Sequence, residues 1–266
     1  MSAAPSADDG ERGAMPAAKD YSEALARGLR ILTIFGEDTP SLTLAEIARL
    51  IGLPRATTRR ALITLVHLGY MEEDRRRFHL RPRVLDLAAA YLRASPAIAI
   101  LQPACERLAA AHGETFSVAV LDGRHAAMIA YARPRQLYSD SAGIGLRMPD
   151  YCSAVGRVLL SGRPPEQLDA YLGAAPLPAL TDQTLTSPEE TRARIEAARR
   201  DGFAVVSDEV EPGFRSMAVP VRRAGGAIAF ALNIGMPSGR MPETTLRERY
   251  LDLLRQEAAA LERQLL

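Results

Sequence analysis

The sequence predicts an α+β protein built as an N-terminal winged helix-turn-helix, a linker helix and a C-terminal α/β domain. Three observations carry that reading. Residues 43–81 show helix, turn, basic helix and basic hairpin in order. After Ser95-Pro96 the pattern becomes helix, sheet, helices, sheet, helix, as expected of a sensor-like domain around one antiparallel sheet. The charge is also unevenly spread. The chain of 266 residues has a formal net charge of +1, but residues 19–95 hold thirteen Lys/Arg against nine Asp/Glu, and residues 96–266 hold nineteen against twenty. Positive charge is thus concentrated in the first part, where a polyanion would lie.

Residues 1–18, rich in Ala, Ser, Pro, Asp and Gly, lack the apolar area to order themselves and are expected to form a loose tail. A first helix begins near Ser22, with Leu25, Leu29, Leu32 and Phe35 on one face, and is broken by Gly36 and residues 38–40. The next helix, from Leu44, aligns Leu44, Ile47, Ala48 and Ile51. Thr43 and Glu46 form a capping-box pattern at its start, and Gly52 can end it in the left-handed conformation. Pro54 then suits the first turn of the following helix. That helix is expected to bury Thr58, Ala61, Leu62, Leu65 and Leu68. Its other face shows Arg55, Ala56, Thr57, Arg59 and Arg60. Tyr70–Glu72 and Phe78–Leu80 can pair as a hairpin with Arg75, Arg76 and Arg77 at its tip.

This arrangement points to DNA. A helix-turn-helix lays the start of its second helix in the major groove. Arginine forks there match guanine O6 and N7, and threonine can touch thymine methyls or phosphates. The wing arginines would straddle phosphates. Nine arginines against three acids lie between Arg49 and Arg83. Thr43, Arg55, Ala56, Thr57, Arg59, Arg60, Arg75, Arg76 and Arg77 are therefore the candidate contacts to double-stranded DNA.

Residues 82–95 read as the linker helix, apolar over much of its surface at Val84, Leu85, Leu87, Ala88 and Leu92. Either a partner chain or packing on the first domain would account for that excess. The C-terminal domain, residues 96–266, opens with a helix over 97–112 that aligns Ile98, Leu101, Cys105 and Leu108. Strands follow over 115–121, 126–132 and, more weakly, 137–141, with Asp122-Gly123 as a hairpin signal. Helices are expected over 153–161, 164–172 and 187–201. Strands over 203–206, 216–221 and 227–234 come next, and a helix over 243–265 closes the chain with Leu246, Tyr250, Leu253, Leu254, Ala258 and Leu261 in a stripe.

Two places in this domain carry polar groups that the fold alone does not demand. A glycine-containing loop, 143–152, enters the helix at Ser153, where backbone N–H groups and the helix dipole favour an anion. Plain N-capping by Ser153 with close packing at Ala154 and Gly156 would leave the same residues. Asn233 interrupts an apolar strand and Ser216 opens another. A core-facing polar side chain must find a partner, because an unmet hydrogen bond costs about 1–3 kcal/mol. A bound ligand, a buried water or a neighbouring loop would each supply one. Arg147 and Arg215 are candidate counter-ions for an acid.

Catalysis is not expected. The four histidines (His67, His79, His112, His125) show no metal-ligand spacing, and there is no Gly-x-Ser-x-Gly elbow or phosphate loop. No cofactor and no metal are implied. Cys152 at a helix start could have a lowered pKa, without an identifiable base. Cys105 reads as a small buried apolar residue. No apolar run reaches the ~18 residues of a membrane span, and no secretory signal opens the chain, so the expected setting is cytoplasmic, with no membrane partner.

The run LTLAEIARLIGLPRATTRRALITLVHLGYM resembles the winged domain of the IclR family of bacterial transcription regulators. YCSAVGRVLLS and DEVEPGFRSMAVPV are similar to that family's effector-domain signature. Together with LRMPDYCS they look closest to the PcaU/PcaR/PobR subgroup, which controls aromatic-acid breakdown through the β-ketoadipate pathway. The resemblance implies a GAF-like effector domain, a palindromic operator bound by homodimers or dimers of dimers, and a response to small carboxylates. Family effector contacts, carried over by motif, fall on Leu137, Met148, Ala154, Val155, Ser216, Asn233 and Gly235. Ser216 and Asn233 stand where some members have Cys and Ser, and Gly235 replaces a second Ser. The wing is shortened to EEDRRRF. The expectation is a ligand-responsive, non-enzymatic regulator sensing an aromatic acid or a related pathway intermediate. The alternatives are a regulator of another carboxylate pathway, or a small-molecule enzyme with an accessory DNA-binding domain.

Overall fold

The structure, a computed structural model, describes residues 20–36, 38–134 and 143–265. The expected tail 1–18, the weak strand over 137–141 and Leu137 lie outside the described residues. The chain parts into two compact units between Ala94 and Ser95.

In the first unit, Ser22 caps helix α1 (Glu23–Leu32). Strand β1 (Leu42–Thr43) leads directly into α2 (Leu44–Ile51), which ends at Gly52 with φ 68°. Helix α3 (Arg55–His67) follows. Strands β2 (Met71–Asp74) and β3 (Arg77–Leu80) form the hairpin, and β1 adds to β3 in the order β1-β3-β2. The two-residue β1, absent from the sequence reading, anchors the wing through Leu42↔Phe78. Ile31, Leu42, Ile47, Ile51, Leu62, Leu65, Met71 and Phe78 make the core.

Two expected core faces are corrected. Leu25 is 63% exposed and Leu29 is exposed as well, while Leu32 and Phe35 are half-buried against the core, so only the C-terminal end of the expected stripe packs inward, beside the fully buried Ile31. Leu68 is exposed too, because it is the C-cap of α3 rather than a further turn of it. After a 3-10 turn at Pro82–Val84, helix α4 (Leu85–Ala94) buries none of its residues and leaves Leu85, Leu87 and Tyr91 exposed.

The second unit begins with α5 (Pro96–His112), which buries Ile98, Leu101, Cys105 and Leu108 as the spacing predicts. Its sheet is six-stranded and antiparallel, in the order β6-β5-β4-β9-β8-β7. The strands are β4 (Thr115–Asp122), β5 (His125–Ala132), β6 (Arg147–Pro149), β7 (Ala204–Ser207), β8 (Phe214–Arg222) and β9 (Ile228–Pro237). Strand β6 lies in the stretch read as loop; three residues next to glycines carry too little periodicity to be seen. Helices α6 (Ala154–Leu160), α7 (Pro165–Gly173) and α8 (Pro188–Asp201) come between the two halves of the sheet. The closing helix α9 (Glu243–Gln264) buries Leu246, Tyr250, Leu254, Ala258 and Leu261, with Leu253 only half-buried.

Helix α6 packs on one face of the sheet, where Ala154, Val155, Val158 and Leu159 meet Ala119, Ala126, Ala204, Ala218 and Ala231. Small residues on both sides allow this close approach. At Gly156 a Cβ would lie 2.1 Å from the Asp150 carbonyl oxygen, so no side chain fits there. Among the described residues no single helix is long and apolar enough to cross a membrane.

Candidate nucleic-acid and effector sites

The surface formed by α2, the turn and α3 presents the expected arginines. Thr58 points inward and donates to the Pro54 carbonyl oxygen at 3.1 Å. Arg55, Ala56, Arg59 and Arg60 are exposed and Thr57 is half-buried. Beside them an open groove of about 690 Å³ is lined by Glu46, Arg49, Gly52, Leu53, Pro54 and Arg55. Thr43 has an internal task. Its hydroxyl donates to Glu46 Oε2 at 2.9 Å and accepts from the Glu46 N–H at 3.3 Å. Hydrogen bonds from the Thr43 backbone, then from its side chain, hold the Glu46 carboxyl below the usual carboxylate range.

In the wing, Asp74 pairs with Arg77, leaving Arg75-Arg76 as a two-residue turn with φ 47° and 65°. Positive φ at both positions is the geometry of a type I′ hairpin, usually filled by Asn-Gly. Two arginines therefore hold a left-handed backbone that costs each of them energy. Arg75 and Arg76 project from the tip and make no ion pair or side-chain hydrogen bond among the described residues, as is also true of Arg55, Arg59 and Arg60. Arg77 differs. Its guanidinium donates to Ser41 Oγ at 2.8 Å and to the Ser41 carbonyl oxygen at 2.7 Å, tying the wing to the loop before α2.

In the second unit, strand pairing assembles a polar floor. Asn233 on β9 lies opposite Ser117 on β4 and Ala218 on β8, while Ser216 lies opposite Gly235. Residues two apart share a face, so Asn233 and Gly235 point with Ala231 toward α6. Met148, Ala154 and Val155 belong to the same core. Asn233 is 3% exposed, Ser216 and Ser117 are buried, and Asn233 Nδ2 donates to Ser117 Oγ at 3.3 Å. Beside Gly235 the Phe214 ring stands where a Cβ would be 2.8 Å from Cζ. Sequence reasoning missed Ser117. The signal was there: a serine inside the apolar run of a strand buried on both faces, the same argument that singled out Asn233.

The structure does not bring the two expected counter-ions to this floor. Arg215 is adjacent to Ser216, and strand alternation sends it to the opposite face. There it donates to Ser207 Oγ at 2.7 Å, to the Ser238 carbonyl oxygen at 3.0 Å and to that of Met241. Arg147 alternates with Met148 in the same way and pairs with Asp122. Ser153 is buried and accepts from the Gly156 N–H at 3.2 Å, the plain N-cap of a short helix. Cys152 is corrected. Burial pushes its thiol up to about 12, so it is no activated nucleophile.

Helix α6 is held by a pair the sequence did not announce. Arg157, 2% exposed, donates to Glu209 Oε1 and Oε2 at 2.8 and 2.7 Å and to the Tyr151 carbonyl oxygen at 3.0 Å. Glu209 Oε2 also accepts from the Leu185 N–H at 3.2 Å. Among the described residues no group of three or more His, Cys, Asp or Glu side chains is placed to hold a metal.

Comparison with known proteins bears on both sites. The family model for the C-terminal domain of the bacterial transcriptional regulator IclR matches residues 89–263, and that for the IclR helix-turn-helix domain matches residues 24–75. The chain belongs to the IclR family. It is a DNA-binding transcriptional regulator, and the family and its relatives are regulators, not enzymes. The Pca regulon regulatory protein of Pseudomonas putida is 39% identical over 88% of this chain and 81% of its own length. A transcriptional regulator from Rhodococcus sp. RHA1 superposes with TM-score 0.80 and 39% identity over 92% of this chain and 98% of that one. An IclR homologue from Microbacterium hydrocarbonoxydans, solved in complex with 4-hydroxybenzoate, gives TM-score 0.73 and 28% identity over 91% and 98% of the two chains. The winged helix-turn-helix followed by an α/β domain is thus the family fold, as the sequence predicts.

Proposed function

We propose that this IclR-family regulator acts in the cytoplasm as a homodimer, or a dimer of dimers, on a palindromic operator, and that its second unit senses an aromatic acid or a related small carboxylate. In this reading residues 19–81 bind DNA, residues 82–95 link, and residues 96–266 hold the effector. Arg55, Thr57, Arg59 and Arg60 read or position the major groove, and Arg75 and Arg76 grip phosphate. Two copies are favoured by the apolar side chains left outward on α1 and α4: Leu25, Leu29, Leu85, Leu87 and Tyr91. A palindrome then mirrors the protein's two-fold axis.

The observation that carries the ligand reading is the buried polar set Ser117, Ser216 and Asn233 on an otherwise apolar face under α6. The 4-hydroxybenzoate held by the Microbacterium homologue supports an aromatic acid as the occupant. For regulation, the acid must bind two arrangements of the dimer with different affinity, since an equal affinity shifts nothing. Thermal-shift screening of aromatic acids and dicarboxylates tests the site, with Asn233→Ala as control. A panel member should raise the Tm of the parent and fail to raise that of the variant. Equal stabilisation of both rejects the floor as the binding site.

A further inference from the structure

Arg77 is where the wing meets the helix-turn-helix. It directly follows the two-residue turn and is paired with Asp74 on β2 and with Thr43 on β1. Strand β1 is two residues long, so its ladder to β3 has only the positions Leu42↔Phe78 and Thr43↔Arg77. So few pairs fix a hairpin poorly. The Arg77 side chain reinforces them, donating from Nε to Ser41 Oγ at 2.8 Å and from Nη2 to the Ser41 carbonyl oxygen at 2.7 Å. Nη2 also stands 3.7 Å from Glu46 Oε2, the oxygen that accepts from the Thr43 N–H and hydroxyl at the cap of α2. One guanidinium thus joins the base of the wing to the residue before β1 and to the first turn of α2. The tip has no slack of its own, because Arg75 and Arg76 are the whole turn. The angle fixed at Arg77 is therefore the angle at which the tip is presented.

We propose that Arg77 is a positioning residue for DNA binding: its fork to Ser41 aims Arg75 and Arg76, and it makes no phosphate contact of its own. The inference rests on the reading of Arg75 and Arg76 as phosphate contacts, and gives the third arginine of the wing a different task. Lysine keeps the charge of arginine but cannot reproduce its planar fork of donors. Charge and geometry can therefore be separated at this one position.

The test is fluorescence anisotropy of the full chain on a random-sequence DNA duplex over a series of salt concentrations, with circular dichroism to show that each variant is folded. Phosphate contacts do not depend on sequence, so no operator is needed. Removing the tip (Arg75→Ala with Arg76→Ala) should weaken binding and flatten the slope of log K against log salt by about 2. Arg77→Lys should weaken binding about threefold or more, although no charge is lost. Without the tip the same lysine should change affinity by less than about 1.5-fold, since a residue acting through the tip has nothing left to aim. Ser41→Ala removes one acceptor and no charge. It too should weaken binding only while the tip is present, and it decides the matter if Arg77→Lys does not fold. An Arg77→Lys protein that binds like the parent, or an equal loss with and without the tip, overturns the positioning role and leaves the tip contacts standing. No effect of removing the tip overturns both.

Discussion

Arginine does opposite work in the two units. In the first, Arg55, Arg59, Arg60, Arg75 and Arg76 stand exposed with no internal partner among the described residues. In the second, Arg157 is locked to Glu209, Arg199 donates to the Ser161 and Arg163 carbonyl oxygens, and Arg215 bolts β8 to the loop after β9. A guanidinium with unspent donors is a ready contact for phosphate or a base edge. One whose donors are used inside the fold positions backbone. Charge counting cannot separate the two; burial and partners can.

The largest test of that contrast is stability. Glu209→Ala leaves the Arg157 charge buried and unpaired and should cost about 3–5 kcal/mol, read by urea unfolding. Arg59→Ala should stay within about 0.5 kcal/mol of the parent. Comparable losses at both positions would dissolve the distinction. Next comes recognition. Arg59→Ala should lose about 1–3 kcal/mol of discrimination between operator and scrambled DNA, as expected for one arginine–guanine contact, measured by fluorescence anisotropy. Arg76→Ala should weaken both DNAs alike and flatten the slope of log K against log salt by about 1. If the two variants behave identically, α3 and the wing do not divide the labour. The smallest effect is at the wing turn. Replacing Arg75-Arg76 by Asn-Gly should relieve left-handed strain and raise stability by about 1 kcal/mol, while DNA affinity falls. A turn that gains no stability would show that the strain is not there.

The sequence was clearest where local rules govern. The Thr43–Glu46 box, the Gly52 stop and the Ser153 cap are set by a few adjacent residues, and all three form as expected. Strand positions of Asn233 and Ser216 were legible because polar residues stand out in apolar runs. The faces of α1 were not, since an outward Leu25 and Leu29 look the same in sequence as inward ones. Strand alternation would have warned that Arg215 and Ser216 cannot both face the floor. The Arg157–Glu209 pair spans 52 residues, and no periodicity announces a contact of that kind.

The middle of the six-stranded sheet is the β4–β9 pairing, which joins the first strand of its unit to the last. Asn233 and Ser117 are separated by 116 positions. Contacts so distant along the chain close late, and a growing polypeptide completes its leading unit first. During synthesis, then, the winged unit can be finished while the floor still lacks a strand. A product broken off before β9 would keep the arginine-bearing surface of the first unit and lack the central strand that carries Asn233.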